Sequence, residues 1–537
     1  MAITQGFPES VVEEHTRAGH WGRESLADHV GRRAGSMGDS IAFHEARHSL
    51  TWERYDSWST GLGAGLRESG LHRGSLVGVF LSDVPATHVV YLALEKAGCT
   101  TVGIGPRSGR HEIEHLLRVT GAQALVTTPE LRGEDQSLLF ADVRERLPSL
   151  RQHLVLDADD EDAITVDGER LFLDAEPRPL TDSLGPNDIF LVNATSGTTG
   201  LPKCVQHTQN RWIRFAQHAI DAGGLTTDDV MMSALPTPFG FGLWTAHFLP
   251  ALLGIPAVLM ERWDPAQALV ALREHDVSVF AGVTTQLMMM LEILESEPVD
   301  LPPLRVVFTG GEAVPYDRAR RFEQLTGCSV LQFYGSNESG ALSNTSVRDD
   351  EYHRLRTAGR IIPEMQVELV DPATGEPVTE PGQQGQPTCR GPLTSPGYLG
   401  DAEANAALFD ARGRMRMADL ATISDDGYLT VVGRVADIII RGGTNVSAAE
   451  IEAAVVTHPA VELAAVVGVP DATFGERICA FVVLRPGTAL SLDDLQAYLK
   501  ERGMARYSWP ERLEVLDEMP ISTGEKIAKA ELKRRAQ

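Results

Sequence analysis

Hydrophobic positions in the first half of the chain come in short continuous runs, separated by stretches with helical spacing. Gly70-Leu71-His72-Arg73-Gly74 reads as a turn. Leu76-Val77-Gly78-Val79-Phe80-Leu81 behind it is an apolar run bounded by turn residues, as in a strand buried on both faces. His88 to Ala97 follows with apolar residues at helical spacing, and Ile189-Phe190-Leu191-Val192 is a second strand-like run. This alternation predicts stacked sheets flanked by helices. Glu130 to Asp182 is acidic and reads as an irregular surface region. From Gly359 to Gly400 the texture is Gly/Pro-rich with short β segments. It changes again at Gly433-Arg434. The remaining residues read β-turn-α-β over 437–440, 448–457, 463–467, 478–484 and 492–502, enough for a small α/β domain.

Composition narrows the class. A chain of 537 residues is too long for one core and implies two or more domains. Lys+Arg of 48 against Asp+Glu of 74 gives a net charge of −26, which argues against a general nucleic-acid binder while leaving room for a local nucleotide pocket. Five scattered cysteines (Cys99, Cys204, Cys328, Cys389, Cys479) form no C-x-x-C pair and suggest free thiols in a reducing compartment. Met1 to Glu14 has no apolar core of a signal peptide, and the run around Leu249 to Met260 is too short to span a bilayer. A cytoplasmic protein without membrane or nucleic-acid partners is expected.

The chemistry begins where the Ile189-Val192 run empties into Thr195-Ser196-Gly197-Thr198-Thr199-Gly200-Leu201-Pro202-Lys203. Small residues let backbone N–H groups close on an anion, four hydroxyls add donors, and Lys203 adds charge, so the loop reads as a phosphate cradle. The Walker A spacing is absent. Thr309-Gly310-Gly311-Glu312-Ala313 follows downstream, where two glycines permit close approach of backbone to a flat ligand. Phe333-Tyr334-Gly335-Ser336-Asn337-Glu338 offers an aromatic face for a base and a carboxylate that can hold Mg²⁺. Next come Met417-Ala418-Asp419-Leu420, then Gly433-Arg434, and last Met519-Pro520-Ile521-Ser522-Thr523-Gly524-Glu525-Lys526-Ile527-Ala528-Lys529.

Taken in order from about Leu50 to the C-terminus, these segments resemble the adenylate-forming superfamily of acyl- and aryl-CoA synthetases, luciferases and peptide-synthetase adenylation domains. The likeness is nearest to the aryl- and alicyclic-acid branch, on Arg17 to Leu26. It implies an α/β protein: a large N-terminal domain of stacked β-sheets flanked by helices with a small β subdomain, over 1–435, and a small mobile α/β lid over 436–537.

The resemblance also implies roles. Thr195 to Gly200 and Lys203 would hold the triphosphate. Gly311, Glu312 and Ala313 would border adenine, with Phe333, Tyr334 and Gly335. Asp419 would accept the ribose hydroxyls and Arg434 would reach ribose or phosphate. Asn337 keeps a donor for a phosphate oxygen, Glu338 would bind Mg²⁺, and Lys526 would bridge carboxylate and α-phosphate. Phe239, Phe241, Trp244, Val283 and Gly310 would line the acid pocket. Ala436 takes the hinge position, and Gly442 and Gly443 lie where CoA-forming relatives line the thiol tunnel. Ser447 reads as a helix cap, with Glu450 at capping-box spacing.

The implied cofactors are ATP and Mg²⁺, with CoA as co-substrate. The expected reaction is activation of an aromatic or alicyclic carboxylic acid as acyl-adenylate with loss of pyrophosphate, then transfer to the CoA thiol. Five departures from the family pattern (Cys204, Asn337, Ala418, Ala436, Glu525) leave alternatives open: loading of a carrier protein, an amine acceptor, or an unusual small acid such as nitrite in a diazo-forming reaction. A nucleotide-binding, non-catalytic homologue is the rival of a different class. Lys203, Glu338, Asp419 and Lys526 argue against it.

Overall fold

The structure is a computed structural model. It describes residues 6–44, 49–157, 163–173, 180–194, 202–296, 301, 304–311, 314–441, 444–471, 473–520 and 527–536. The chain forms two compact units. The larger is built from 1–195, 201–366 and 389–415, the smaller from 196–200, 367–388 and 416–537.

The larger unit contains two mainly parallel sheets. In one, eight described strands run in the order Glu169–Phe172, Ala163–Val166, Gln152–Val155, Ala124–Thr127, Leu76–Phe80, Thr100–Gly103, Ile189–Ala194, Cys204–Thr208. In the other, nine described strands include Ile41–His44, Ala257–Leu259, Met231–Ser233, Val279–Ala281, Val306–Gly310, Ser329–Ser336 and Gly340–Asn344. The expected strands and helix are all present. Leu76–Phe80 is buried at every position, and the helix Pro85–Lys96 starts on a proline whose missing N–H costs nothing there.

Both sheets pack on a middle layer of helices. All twelve residues of Pro85–Lys96 are buried, as in a helix with no solvent face. The segment Gly240–Leu253 has a sheet on either side. Phe248 meets Phe190 edge-on at 5.6 Å, and Trp244 meets Phe308 edge-on at 5.3 Å. Outside, Arg110–Thr120 and Gln136–Arg146 cover the first sheet through Ile113, Leu117, Phe140 and Val143. Pro265–Glu274, Thr284–Ser296 and Tyr316–Thr326 cover the second through Leu272, Leu291 and Phe322.

One expectation is corrected here. Glu130 to Asp182 is not irregular: it holds the helix Gln136–Arg146, N-capped by Asp135, and three strands that extend the eight-stranded sheet. Among the described acidic residues, Glu130, Glu134, Asp135 and Glu169 are exposed. Leu154, Ala163 and Ile164 carry the burial.

The smaller unit contains a hairpin, Asp419–Ile423 with Leu429–Arg434, and a five-stranded sheet. The sheet joins Thr444–Ser447, Ile438–Arg441, Gly475–Leu484 and Val461–Asp471. Arg512–Leu516 pairs in parallel with Gly475–Leu484, a strand the sequence pattern did not reveal. Alternate residues face opposite ways. Val466, Ile478, Ala480 and Val482 pack on helices Ala448–Val455 and Leu492–Glu501. Val467, Cys479 and Phe481 pack against Leu532 of the terminal helix Lys529–Ala536. Ser447 caps its helix by accepting from the Glu450 N–H at 3.3 Å. No helix among the described residues is long and apolar enough to cross a membrane.

Candidate active site

Three side chains far apart in sequence meet at one edge of the larger unit. Glu338 lies in the turn between strands Ser329–Ser336 and Gly340–Asn344. Tyr398 belongs to a short segment that pairs beside Cys204–Thr208: the Leu399 N–H donates to the Cys204 carbonyl at 2.7 Å, and the Gln206 N–H to the Gly397 carbonyl at 3.1 Å. The Tyr398 hydroxyl donates to Glu338 Oε1 at 2.7 Å. Exposed Lys203 holds its Nζ 5.1 Å above the Tyr398 ring. Burial and the Glu338 charge push the Tyr398 phenol far up, so it stays a donor.

Behind this group is a buried polar network centred on Arg211, which is 1% exposed. Arg211 Nε donates to the Leu393 carbonyl at 2.8 Å. Its Nη2 donates to the Asn337 and Glu338 carbonyls at 3.0 and 3.1 Å. Its Nη1 lies 2.6 Å from His207 Nδ1, which also accepts from Trp212 Nε1 at 3.2 Å. His207 therefore carries its hydrogen on Nε2 and gives it to Asn193 Oδ1 at 2.7 Å. Burial, with Arg211 beside it, holds His207 well below the ordinary imidazole value. Burial brings Arg211 down to about 9, where it is still charged at neutral pH.

Asn193 links this network to the aromatic segment. Its Nδ2 donates to the Pro238 carbonyl at 2.6 Å, and its Oδ1 accepts from Asn337 Nδ2 at 2.6 Å. A Cβ on Gly240 would sit 3.1 Å from Asn337 Oδ1 and 2.7 Å from Trp212, so the segment presses on Asn337 at a point only glycine allows. The Asn337 amide, expected to face a phosphate oxygen, is turned to Asn193.

The pocket candidates separate into two groups. Phe239 is 40% exposed and Phe241 is half-buried. Trp244 is 2% exposed, stacked under Phe241 at 5.4 Å and packed on Phe308 and Phe333. Val283 is half-buried, its N–H donating to Gln286 Oε1 at 3.0 Å. Gly310 permits contact between strands, since a Cβ there would lie 2.6 Å from the Phe333 carbonyl oxygen. Phe333 itself is buried against Phe215 at 5.3 Å, whereas Tyr334 and Gly335 on the same strand are half-buried. Gly311 is exposed.

In the smaller unit Asp419 and Arg434 are direct cross-strand partners, with Arg434 Nε 3.3 Å from Asp419 Oδ1. Thr195 to Gly200, Glu312, Ala313, Gly442, Gly443 and Lys526 lie outside the described residues, as does the Ala436 side chain. All five cysteines are buried, and burial pushes the Cys204 thiol up to about 12, no setting for a nucleophile.

Sequence reasoning missed Tyr398, Arg211, His207 and Asn193. The only signals were the Gly-Tyr-Leu-Gly run at 397–400 and a polar run, Gln206 to Arg211, at the entry to a buried helix.

Residues 30–399 match the model of the family described as AMP-binding enzyme, and 450–526 match the AMP-binding enzyme C-terminal domain. The chain belongs to the AMP-binding enzyme family.

It is 31% identical over 98% of its length to the salicylyl-CoA synthase / salicylate adenylyltransferase of Streptomyces sp., of which it covers 96%. It is 30% identical over 98% of its length to the medium-chain fatty-acid–CoA ligase of Escherichia coli K12, of which it covers 93%. Among solved structures, O-succinylbenzoate coenzyme A synthetase from Bacillus subtilis, in complex with ATP and magnesium ion, superposes with a TM-score of 0.80 at 25% identity. That match covers 94% of this chain and 99% of the other.

Proposed function

We propose that this protein activates an aromatic or alicyclic carboxylic acid with ATP, releases pyrophosphate, and passes the acyl group to the CoA thiol. The observation that carries this reading is the meeting of Lys203, Tyr398 and Glu338, linked through two asparagines, Asn337 and Asn193, to Pro238 at the start of the Phe239–Phe241 segment. A cation and a carboxylate for the triphosphate side thus share a wall with an apolar, planar-lined site for the acid. The Streptomyces relative, named for salicylate, favours an aromatic acid over a fatty one.

In this reading Thr195 to Gly200 and Lys203 hold the β- and γ-phosphates, and Lys526 offsets charge developing between the carboxylate and the α-phosphate. Tyr334 and the Gly311–Ala313 turn border adenine. Asp419 takes the ribose hydroxyls and Arg434 orients it. The residues present fit Mg²⁺. Glu338 gives one oxygen to Tyr398 and keeps the other, and no group of three His, Cys, Asp or Glu among the described residues could cage a metal. An ion there would complete its shell with phosphate oxygens and water, as Mg²⁺ prefers, and would supply charge neutralisation of the leaving pyrophosphate.

Residues 1–435 would act as the adenylating body and 436–537 as a lid turning about Ala436, with Gly442 and Gly443 lining the thiol path. The working compartment is the cytoplasm. Incubation with ATP, Mg²⁺, CoA and a panel of acids, with products read by mass, is expected to give aryl- or alicyclic-acyl-CoA. Product only with a carrier protein or an amine in place of CoA would change the acceptor. Thioesters of long-chain acids alone would overturn the acid class.

A further inference from the structure

The strand Ile189–Ala194 carries one polar side chain, Asn193, two residues before the loop that begins at Thr195. An amide on a strand buried at every position is costly unless its polar groups are met. Asn193 is 1% exposed, and its polar groups are met. Its Nδ2 donates to the Pro238 carbonyl at 2.6 Å and, at a longer 3.3 Å, to Asn337 Oδ1. Its Oδ1 accepts from His207 Nε2 at 2.7 Å and from Asn337 Nδ2 at 2.6 Å. Two donated and two accepted hydrogens use the whole capacity of the side chain.

The direction of each bond is set from both ends. The Pro238 carbonyl can only accept, so Nδ2 must face it and Oδ1 must face His207. At the other end, His207 Nδ1 meets Arg211 Nη1 at 2.6 Å and Trp212 Nε1 at 3.2 Å. Guanidinium and indole N–H groups can only donate, so Nδ1 is bare and the ring carries its one hydrogen on Nε2, toward Asn193. An imidazolium would set a second hydrogen on Nδ1 against two donors. Burial, which holds His207 well below the ordinary imidazole value, agrees with the neutral ring. The backbone brings these groups together. Asn193 and His207 lie on strands paired with each other, and Arg211 sits in the first turn of the helix Gln209–Gly223 that follows.

Asn337 turns toward this fixed amide and forms a two-bond ring with it. The ring takes one of the two hydrogens on Asn337 Nδ2. The second has no partner among the described residues, and Asn337 is only half-buried. Arg211 holds the main chain at the same point, through the Asn337 and Glu338 carbonyls. Side chain and backbone of Asn337 are thus anchored to one network, which gives the spare hydrogen a set direction.

We infer that Asn193 is a positioning residue for adenylation. Oriented by His207, it sets the spare Asn337 hydrogen for a phosphate oxygen of the nucleotide, and it holds the Pro238 carbonyl at the root of the Phe239–Phe241 segment. One amide keeps the acid site and the phosphate site in register. The inference rests on the proposed function, which assigns those two sites. Asn193 acts on turnover through Asn337 and on acid binding through Pro238. The two actions are separable, because the short bonds to Pro238 and Asn337 use different atoms of the amide.

The test is a double-mutant cycle with Asn193→Ala and Asn337→Ala, read by acid-dependent exchange of labelled pyrophosphate into ATP. The acid is benzoate, or the most active acid of the panel where benzoate is inert. Each single variant is expected to lower the exchange kcat about tenfold, the effect of one misdirected hydrogen bond. The double variant should lose no more than Asn337→Ala alone, since Asn193 reaches turnover through that residue. KM for the acid should rise several-fold with Asn193→Ala in either background and stay unchanged in Asn337→Ala. A residue that only supports the fold would lower kcat by the same factor in both backgrounds. That additive result, or an unchanged kcat in either single variant, overturns the inference. An unchanged acid KM in Asn193→Ala overturns the acid half alone. If Asn193→Ala does not fold, Asn193→Ser takes its place in the cycle with the same expected pattern. ¹⁵N spectra of histidine-labelled wild type at pH 7 read the network without turnover. They should show His207 as the neutral Nε2–H tautomer, and an imidazolium or an Nδ1–H tautomer overturns the inference. Wild type that exchanges with no acid of the panel would instead overturn the proposed function, and the inference with it.

Discussion

Two cations, Arg211 in the larger unit and Lys529 in the smaller, are held in opposite ways. Arg211 is buried and gives its hydrogens to three main-chain carbonyls and a neutral histidine. Lys529 lies 2.9 Å from Asp437 and 2.9 Å from Glu452, both carboxylates. Burial works against the Lys529 charge, but the two acids outweigh it and hold its pKa up. The difference separates two kinds of scaffold. Arg211 ties the turn carrying Asn337 and Glu338 to the Leu393 carbonyl through main-chain oxygens alone, without using the Glu338 carboxylate. Lys529 is neutralised, and locks the strand entry at Asp437, the helix Ala448–Val455 and the C-terminal helix into one body. On this account neither serves the substrate. The proposed function gives that role to Lys203, exposed above Tyr398, and to Lys526, three residues before Lys529 in the sequence.

The largest expected effect tests that division. Lys526→Ala should cut adenylation by on the order of 10²–10³, the usual cost of one preorganised electrostatic contact, with folding intact. Transfer from preformed acyl-adenylate to thiol should fall much less. Equal loss in both half-reactions would remove the distinction between Lys526 and its scaffolding neighbour.

Arg211→Met should cost on the order of 3 kcal/mol, because three buried carbonyls and His207 lose their donor at once. Chemical denaturation measures it. A loss below about 1 kcal/mol, with normal Mg²⁺ dependence of turnover, would mean that Arg211 does not hold the Glu338 turn.

Lys529→Met should cost about 2 kcal/mol, less than a fully buried ion pair because the lysine retains some exposure. The loss should appear in hydrogen exchange of the smaller unit and leave the strands of the larger one unchanged. Protection lost equally in both units would show that Lys529 is not a local clamp.

The smallest effect belongs to Tyr398→Phe. Removing one hydroxyl donor should cost about 1 kcal/mol at the Glu338 carboxylate and raise the Mg²⁺ needed for half-maximal exchange by about tenfold or less. Mn²⁺ binding followed by electron paramagnetic resonance reads the same site without turnover. Superimposable Mn²⁺ titrations would sever Tyr398 from the metal side.

Much of this was legible in sequence because the signals are local. The Leu76 and Ile189 runs announce buried strands, and the Ser447 cap sits beside its helix. Glu338 and Asp419, each in a motif that is weak alone, are singled out by the ordered likeness to the family along the chain. What was hidden depends on pairs distant in sequence. Arg211 acquires its meaning from carbonyls at 337, 338 and 393, and Tyr398 from Lys203 and Glu338. Nothing in periodicity distinguishes a buried arginine on a helix from a solvated one. Trp244 shows the converse. Its place in an aromatic cluster suggested pocket lining, but at 2% exposure it supports Phe241 from behind. The same limit concealed the strand Arg512–Leu516, which is held by pairing with Gly475–Leu484 rather than by a pattern of its own.

The account stands most directly on acid-dependent exchange of labelled pyrophosphate into ATP, measured over a panel of planar aromatic, alicyclic, linear and amino acids. It predicts exchange that requires Mg²⁺, is strongest with a planar aromatic or alicyclic acid, and is shifted toward bulkier acids by Phe239→Ala. Exchange with no acid in the panel, or a profile dominated by long-chain or amino acids and unmoved by Phe239→Ala, would contradict it.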